Sequence, residues 1–216
     1  SSHVLMLAGD IGARSLTSAP EGLIKAAGYI EYILRGYDYS PSREEFIVEV
    51  LSRKRATFTN EGINFPSVQH TTCNVIAEIP GEKTPNEIIV VGAHYDSVYD
   101  CPAANDNGSG VAALLELAGL MKQSNPAKSI RLVAFTNEEP PFFRTDKMGS
   151  FVHAKGCKDR NEKIVAMLSL ETIGFYSNAP NSQKYPHKVM GTCFPNTGNF
   201  LSFVANLQSA RLLNRS

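Results

Sequence analysis

Three apolar runs that read as buried strands, each followed by ionisable side chains, constrain the fold of this chain more than any other feature. The runs are rich in β-branched residues and cover positions 88–93, 130–136 and 164–170. The side chains that follow them are, in chain order, His94 and Asp96, Glu138 and Glu139, and Glu171. Ligands of open α/β sheets bind in the crevice beyond the carboxyl ends of the strands. The pattern therefore predicts one site that gathers an imidazole and four carboxylates.

The rest of the chain supports a fold in which strands alternate with helices. Further strands are predicted at 45–50 and 72–79, and helices at 20–36, 108–122 and 199–213. Ser18 and Glu21 form a capping-box pattern at the start of the first helix, and residues 176–188, rich in Asn, Pro and Ser, read as a loop. These elements predict an α/β domain of three αβα layers, with a mostly parallel or mixed central sheet covered on both faces.

Length and charge limit the class of protein. The 216 residues, 43% of them hydrophobic, suit a single domain spanning 1–216. Because 21 basic residues balance 21 acidic ones, we expect no nucleic-acid partner. We also expect no membrane partner, since no apolar run approaches the length of a membrane span. The first residues lack the basic and apolar regions of a signal peptide, and both the compartment and the oligomeric state are left open.

His94 is the first candidate ligand of a metal ion. A histidine after a strand is often structural, but Asp96 two residues later can orient the ring, as carboxylates do behind zinc-bound histidines. Asp106 opens the sequence DNGSG, where Asp and Gly would suit a turn that caps the next helix. Beside the other acids, a carboxylate that bridges two metal ions is the alternative interpretation of Asp106.

Glu138 and Glu139 are adjacent acids between a strand and two prolines. Adjacent residues at a strand end cannot both point the same way, so one can bind a metal ion while the other faces the substrate as a general base. Two like charges this close need a cation nearby, or one carboxyl takes up a proton. Glu171 ends the third strand in register with these acids and completes the set.

The donor set indicates which metal would bind. Nitrogen and carboxylate ligands without thiolates suit zinc, with manganese or cobalt as alternatives. Three ligand carboxylates, from Asp106, Glu139 and Glu171, would offset much of the charge of two divalent ions. Two ions about 3.5–4 Å apart can share a hydroxide and stabilise the oxyanion that forms when it attacks a carbonyl.

These stretches resemble the zinc aminopeptidases of the M28 family, which have a phosphorylase/hydrolase-like αβα fold. The matching sequences are NVIAEIPG (74–81), VGAHYDS (91–97), DNGSG (106–110), FTNEE (135–139) and LETIG (170–174). The likeness extends from the first predicted helix to the end of the chain. It implies a metallo-aminopeptidase that acts on peptide substrates, although removal of carboxyl-terminal residues and cleavage of dipeptides are not separated from it.

The resemblance also implies a role for each site residue. The implied metal ligands are Asp106 as a bridge between two zinc ions, His94 and Glu171 on one ion, and Glu139 on the other. Glu138 is implied as the general base that activates a metal-bridging hydroxide, and Asp96 as the residue that orients His94. A cis peptide bond is implied between Asp106 and Asn107.

The chain departs from the family pattern in two places. Many members carry Asp where Glu171 stands, and Glu is an acceptable ligand. Members also supply a further His ligand from the last part of the domain, whereas this chain ends at Ser216. None of its other histidines lies in a matching motif: His3, His70, His153 and His187. We therefore expect a truncated domain, incomplete at its C-terminal end, with one zinc ion or none where the complete domain holds two, and its activity is left open.

Two other functions compete with a peptidase. Glutaminyl cyclases share the fold and the motif set, and use a single zinc ion for ring closure rather than hydrolysis. The DNGSG sequence and the retained Glu171 resemble the peptidases more than the cyclases. A non-catalytic module on the same fold is the third reading, and the intact base Glu138 argues against it.

Overall fold

The computed structural model describes residues 1–51, 57–59, 62–64, 66–185 and 189–213. The strands are β1 (Ser42–Leu51), β2 (Thr57–Thr59), β3 (Gly62–Asn64), β4 (Ser67–Ile79), β5 (Thr84–His94), β6 (Lys128–Phe135) and β7 (Lys163–Ser169). The α-helices are α1 (Ser2–Val4), α2 (Pro20–Gly36), α3 (Gly108–Met121), α4 (Gly149–Asp159), α5 (Met190–Cys193) and α6 (Ala210–Leu213). A π-helix, Leu5–Ile11, continues α1, and a 3₁₀ turn, Leu207–Ser209, leads into α6.

The main sheet is mixed and has the strand order β1-β4-β6-β5-β7. β1 pairs with β4, and β4 with β6, in antiparallel fashion, whereas β5 runs parallel to both β6 and β7. β2 and β3 form a separate antiparallel pair. The predicted mixed sheet is thus confirmed.

β5 lies at the point where the direction of chain winding reverses. From β5 the chain passes through α3 to β6 on one side, and later through α4 to β7 on the other side. Because crossovers between parallel strands are right-handed, the two helices cover opposite faces of the sheet, which gives the three predicted layers. A crevice opens at such a point beyond the carboxyl ends of the strands.

Alternate residues of β5 supply the two hydrophobic cores. Val91 and Ala93 pack into the larger core, to which α2 and α3 contribute Leu23, Ile30, Leu34, Val111 and Leu115. Ile88 and Val90 pack in the smaller core with Val133 and Phe135 of β6. The ring of His153 from α4 lies edge-on to the ring of Phe135, with the ring centroids 5.9 Å apart. Both faces of β5 are therefore buried, which explains its continuous apolar sequence.

The start of α2 differs from the predicted capping box. Its N-cap residue is Ala19, which has no side chain to accept a hydrogen bond, so the capping role of Ser18 and Glu21 is wrong. The backbone fixes the start of the helix instead. The N–H of Ala19 donates to the carbonyl of Ser15 over 2.9 Å, and Pro20 begins the first turn.

The helix predicted over 199–213 is also largely wrong. Residues up to Asn206 are irregular, and only the short 3₁₀ turn and α6 follow. The apolar residues that suggested the helix are exposed, among them Leu201, Phe203, Val204 and Leu207. Most helical stability comes from burying an apolar face, so spacing alone did not produce a helix here. Residues 176–185 are irregular as predicted, and 186–188 lie outside the described residues.

Candidate metal centre

The carboxyl ends of β5, β6 and β7 bring the predicted site residues together. His94 is the last residue of β5, and its Nε2 lies 3.1 Å from Oδ1 of Asp106, in the loop before α3. The same nitrogen lies 3.5 Å from Oε2 of Glu171, just after β7, and 3.8 Å from Oε2 of Glu138, just after β6. One imidazole nitrogen thus faces carboxylates from three loops.

The side chains form two overlapping groups that could each hold a metal ion. One consists of His94, Asp106 and Glu171, and the other of His94, Glu138 and Glu139. Within each group the ligand atoms lie within 4.8 Å of one another. Glu138 and Glu139 thus both approach His94, whereas the sequence suggested that they point apart.

Asp96 contacts both groups from the buried side of the centre. It is 3% exposed, and its Oδ1 lies 3.4 Å from Nδ1 of His94. That contact is too poorly aligned to count as a hydrogen bond, and Nδ1 is the one buried side-chain atom in the described part of the chain that lacks a partner. The two oxygens of Asp96 accept hydrogen bonds from the backbone N–H groups of Glu138 (3.1 Å) and Glu139 (3.0 Å). Asp96 therefore holds the acid pair beside the imidazole.

The electrostatics of the centre favour a bound cation. Burial alone would lower the pKa of His94, but the nearby negative charges of Asp96 and Glu171 outweigh it and raise the pKa to about 11. Burial raises the pKa of Glu138 and of Glu139, and the neighbouring acids raise both further. The pKa values of crowded carboxylates rise in this way when too little positive charge lies nearby. A divalent ion would supply that charge.

The donor atoms fit zinc. They are one imidazole nitrogen and several carboxylate oxygens, the ligand types of catalytic zinc sites. His94 is buried, whereas the side chains of Asp106 and Glu171 are 57% and 47% exposed. The centre is therefore fixed on its inner side and accessible to a substrate on its outer side.

The other histidines in the described residues lie elsewhere. His3 contacts Tyr29 and Glu116, and His153 contacts Glu44 and Cys157. His70 lies in β4 opposite Val48 of β1, and His187 falls outside the described residues. None of the three described histidines belongs to either ligand group.

Sequence reasoning missed two residues that support the centre. The sequence placed Asn107 in a possible helix cap and in an expected cis peptide bond. It is the N-cap of α3, and its side chain also donates to Glu171, which was not expected. Nothing in the sequence distinguished Arg14, whose guanidinium is buried beneath the loop that carries Asp96. The peptide bond between Asp106 and Asn107 is cis, as expected.

Comparison with known proteins identifies relatives. The model of Peptidase family M28 matches residues 74–198, more than half of the chain. The protein YfbL of Escherichia coli (strain K12), described as uncharacterized, is 37% identical over 204 residues, which cover 88% of this chain and 61% of that protein. An aminopeptidase of Pseudomonas aeruginosa is 38% identical over 104 residues, or 48% of this chain and 18% of that protein. The chain therefore spans less than two thirds of either relative.

Solved structures share the fold at lower identity. The zinc aminopeptidase BSAP from Bacillus subtilis has a TM-score of 0.65 and 16% identity, and the match covers 85% of this chain and 73% of that one. A glutaminyl cyclase from Fimbriiglobus ruber has a TM-score of 0.60 and 22% identity, with 82% and 61% covered. The likeness to both enzymes establishes the fold but does not show which of the two reactions this chain would catalyse.

In the described residues, no helix combines the length and the apolar character that a membrane span requires. The family match covers all five of the sequences that carry the resemblance, from the strand that precedes β5 to the loop that follows β7. The same stretch supplies every residue of both ligand groups. This chain belongs to peptidase family M28.

Proposed function

We propose that this protein is a zinc-dependent aminopeptidase, which hydrolyses the peptide bond next to the free amino terminus of a peptide. The observation that carries the proposal is the position of Glu138. Its carboxylate belongs to the second ligand group and lies 3.8 Å from Nε2 of His94, and its side chain is 30% exposed. A group in this position reaches both the centre and a substrate.

The residues divide into those that hold metal and those that move protons. His94, Asp106, Glu139 and Glu171 would hold zinc, which when bound polarises a carbonyl and lowers the pKa of water. Glu138 accepts a proton from the attacking water and passes one to the leaving amine. Burial and the neighbouring acids raise the pKa of Glu138, which moves it toward the operating pH, where a general base is most effective.

The charge of the centre favours a substrate with a free amino terminus. The groups around His94 are carboxylates, and two of them, Asp106 and Glu171, are about half exposed. The five carboxylates of the centre outnumber the positive charges of one or two divalent ions, so the centre would stay negative with zinc bound. A protonated amino terminus is attracted to such a rim, whereas the terminal carboxylate that a carboxypeptidase must bind would be repelled. The acid-rich centre therefore supports removal of residues from the amino terminus.

The test is to follow product masses from peptides that begin with different residues, including glutamine. With zinc, the chain should release the free first residue, and removal of the metal with a chelator should abolish release. Glu138→Gln should lower kcat by about 10²–10⁴-fold without loss of bound zinc. Glu82→Gln, a change of the same kind at an exposed turn, should have no effect.

Other outcomes separate the competing functions. Loss of ammonia from the glutamine peptide, without shortening of the chain, would identify a cyclase. Bound zinc with neither product would identify a non-catalytic module. Failure to bind zinc at all would contradict the proposed centre.

A further inference from the structure

The side chain of Asn107 is fully buried and makes four hydrogen bonds. Its Oδ1 accepts from the backbone N–H groups of Gly110 (3.0 Å) and Thr172 (3.3 Å). Its Nδ2 donates to the carbonyl of Leu170 (2.9 Å) and to Oε2 of Glu171 (3.1 Å). A carboxamide has two donor hydrogens and one oxygen with two lone pairs. Asn107 therefore uses its whole capacity to join the start of α3 to the loop after β7.

Two neighbours of Asn107 extend this connection. Oγ of Ser109 accepts from the N–H of Ile173 (3.0 Å), and Oδ1 of Asn105 accepts from the N–H of Gly174 (2.8 Å). Three successive backbone N–H groups, 172–174, thus meet side-chain oxygens from a segment that lies 64 to 69 residues earlier in the chain. The loop that carries Glu171 has no regular structure, and these bonds fix it to the loop that carries Asp106.

The carboxylate of Glu171 is itself held from two sides. Oγ1 of Thr172 donates to Oε1 over 2.6 Å, and Nδ2 of Asn107 donates to Oε2. Oε2 is the oxygen that faces Nε2 of His94. Because the Glu171 side chain is about half exposed, it would otherwise sample several rotamers, and ordering it on metal binding would cost conformational entropy.

We propose that Asn107 is a positioning residue, whose amide group fixes the Glu171 carboxylate in the orientation that binds metal. The assignment rests on the proposed function, since Glu171 needs a fixed orientation only if it is a ligand. Hydrogen bonds from a second layer of residues orient ligands and strengthen metal binding. Asn107 performs this task for a carboxylate ligand.

The test is to measure the dissociation constant of zinc, by competition with a chelator, for chains first freed of metal. Asn107→Asp keeps the acceptor oxygen that caps α3 but replaces the donor Nδ2 with a second oxygen. That oxygen would face the carbonyl of Leu170 and the carboxylate of Glu171, and repel both. The substitution should weaken zinc binding by about 10–100-fold. Asn125→Asp makes the same change at an exposed position after the other end of α3, so it should bind zinc like the unmodified chain.

A double-mutant cycle shows whether Asn107 acts through Glu171. Glu171→Gln removes the charge and supplies an amide that can donate to Asp at position 107. In that background, Asn107→Asp should therefore have little further effect on zinc binding. Coupled residues give such non-additive changes, whereas independent ones add.

Asn107→Gly provides a second variant in case the aspartate disturbs folding. Glycine is tolerated at an N-cap, and it introduces no repulsion. It should still weaken zinc binding, because the donor to Glu171 is gone. Circular dichroism of the metal-free chains verifies that the fold is retained.

The results separate this assignment from the proposed function. If the unmodified chain binds zinc and both Asn107 variants bind it equally well, or if the effects in the cycle simply add, Asn107 does not position Glu171 although the function stands. If the unmodified chain binds no zinc, the proposed function fails and the assignment fails with it.

Discussion

Nε of Arg14 donates a 2.9 Å hydrogen bond to the backbone carbonyl of Tyr95, the residue between His94 and Asp96. The same guanidinium donates to the carbonyls of Leu7, Gly12, Pro102 and Ala103. Burial lowers the pKa of Arg14 to about 10, against the opposing charge of Asp96, so the group is still charged at neutral pH. One buried cation therefore fixes the N-terminal segment to the loop between β5 and α3, which carries Asp96 and Asp106.

Removal of this guanidinium should be strongly destabilising. Arg14→Leu leaves several buried carbonyls without a donor, and each such group costs about 1–3 kcal/mol. We expect a loss of about 3–5 kcal/mol in the free energy of unfolding, measured with urea. Arg35→Leu is the matched control, because the side chain of Arg35 is 58% exposed and its ion pair with Glu31 is 3.5 Å long. Equal losses for the two variants would show that Arg14 has no special role.

Asp96→Asn should weaken metal binding more than it weakens the fold. One of the two oxygens that accept from Glu138 and Glu139 becomes a donor, and the charge behind His94 is lost. We expect a 10–100-fold rise in the zinc dissociation constant, roughly the effect of other second-layer changes. Asp100→Asn, in the exposed part of the same loop, should bind zinc normally. Normal binding by both variants would contradict the supporting role of Asp96.

Gly92→Ala should destabilise the chain because the ring of Phe135 occupies the space beside Gly92. An added Cβ would overlap Cε2 of that ring. Overpacking of this kind costs about 1–3 kcal/mol, which thermal unfolding can measure. Phe135→Leu removes the ring, so Gly92→Ala should cost less in that background. An unchanged cost in the Phe135→Leu background would show that overlap with the ring of Phe135 does not cause the destabilisation.

Glu162 should make stability depend on acidic pH. The hydrogen bond from Arg131, 2.6 Å long, holds the pKa of Glu162 well below its usual range, against the opposing effect of burial. In the unfolded chain the pKa returns to about 4.3, so the unfolded state takes up a proton first as pH falls. The stabilisation is therefore complete above about pH 4.3 and is lost progressively below it.

The check is the melting temperature between neutral and acidic pH. Glu162→Gln should lower it at neutral pH and make its decline below about pH 4.3 less steep. Glu82→Gln, at an exposed position, should leave the curve unchanged. A decline of the same steepness in Glu162→Gln would show that other acids cause it.

The parallel part of the fold was predictable because its strands are buried on both faces. Continuous apolar runs identified β5, β6 and β7, and the ionisable residues after them identified the crevice. The strand order β1-β4-β6-β5-β7 was not predictable. It depends on the face that each connection covers, and no local pattern in the chain encodes that choice.

The site was predicted less completely than the strands that carry it. The clustering of acids around His94 was predictable because the acids follow the ends of strands. The directions of Glu138 and Glu139 were not, because both lie in the loop beyond β6, where side chains no longer alternate between two faces. Contacts such as those of Asn107 with Glu171, or of Arg14 with Tyr95, join distant parts of the chain. Such pairs leave no periodic signal in the sequence.

His94 belongs to both ligand groups, but its Nε2 has a single lone pair to offer. An ion that takes this nitrogen together with Asp106 and Glu171 leaves only carboxylates to the other group. Two ions would therefore compete for the imidazole and bind with unequal strength. The weaker position would be the one beside Glu138, where a loosely held ion would leave that carboxylate free to exchange protons.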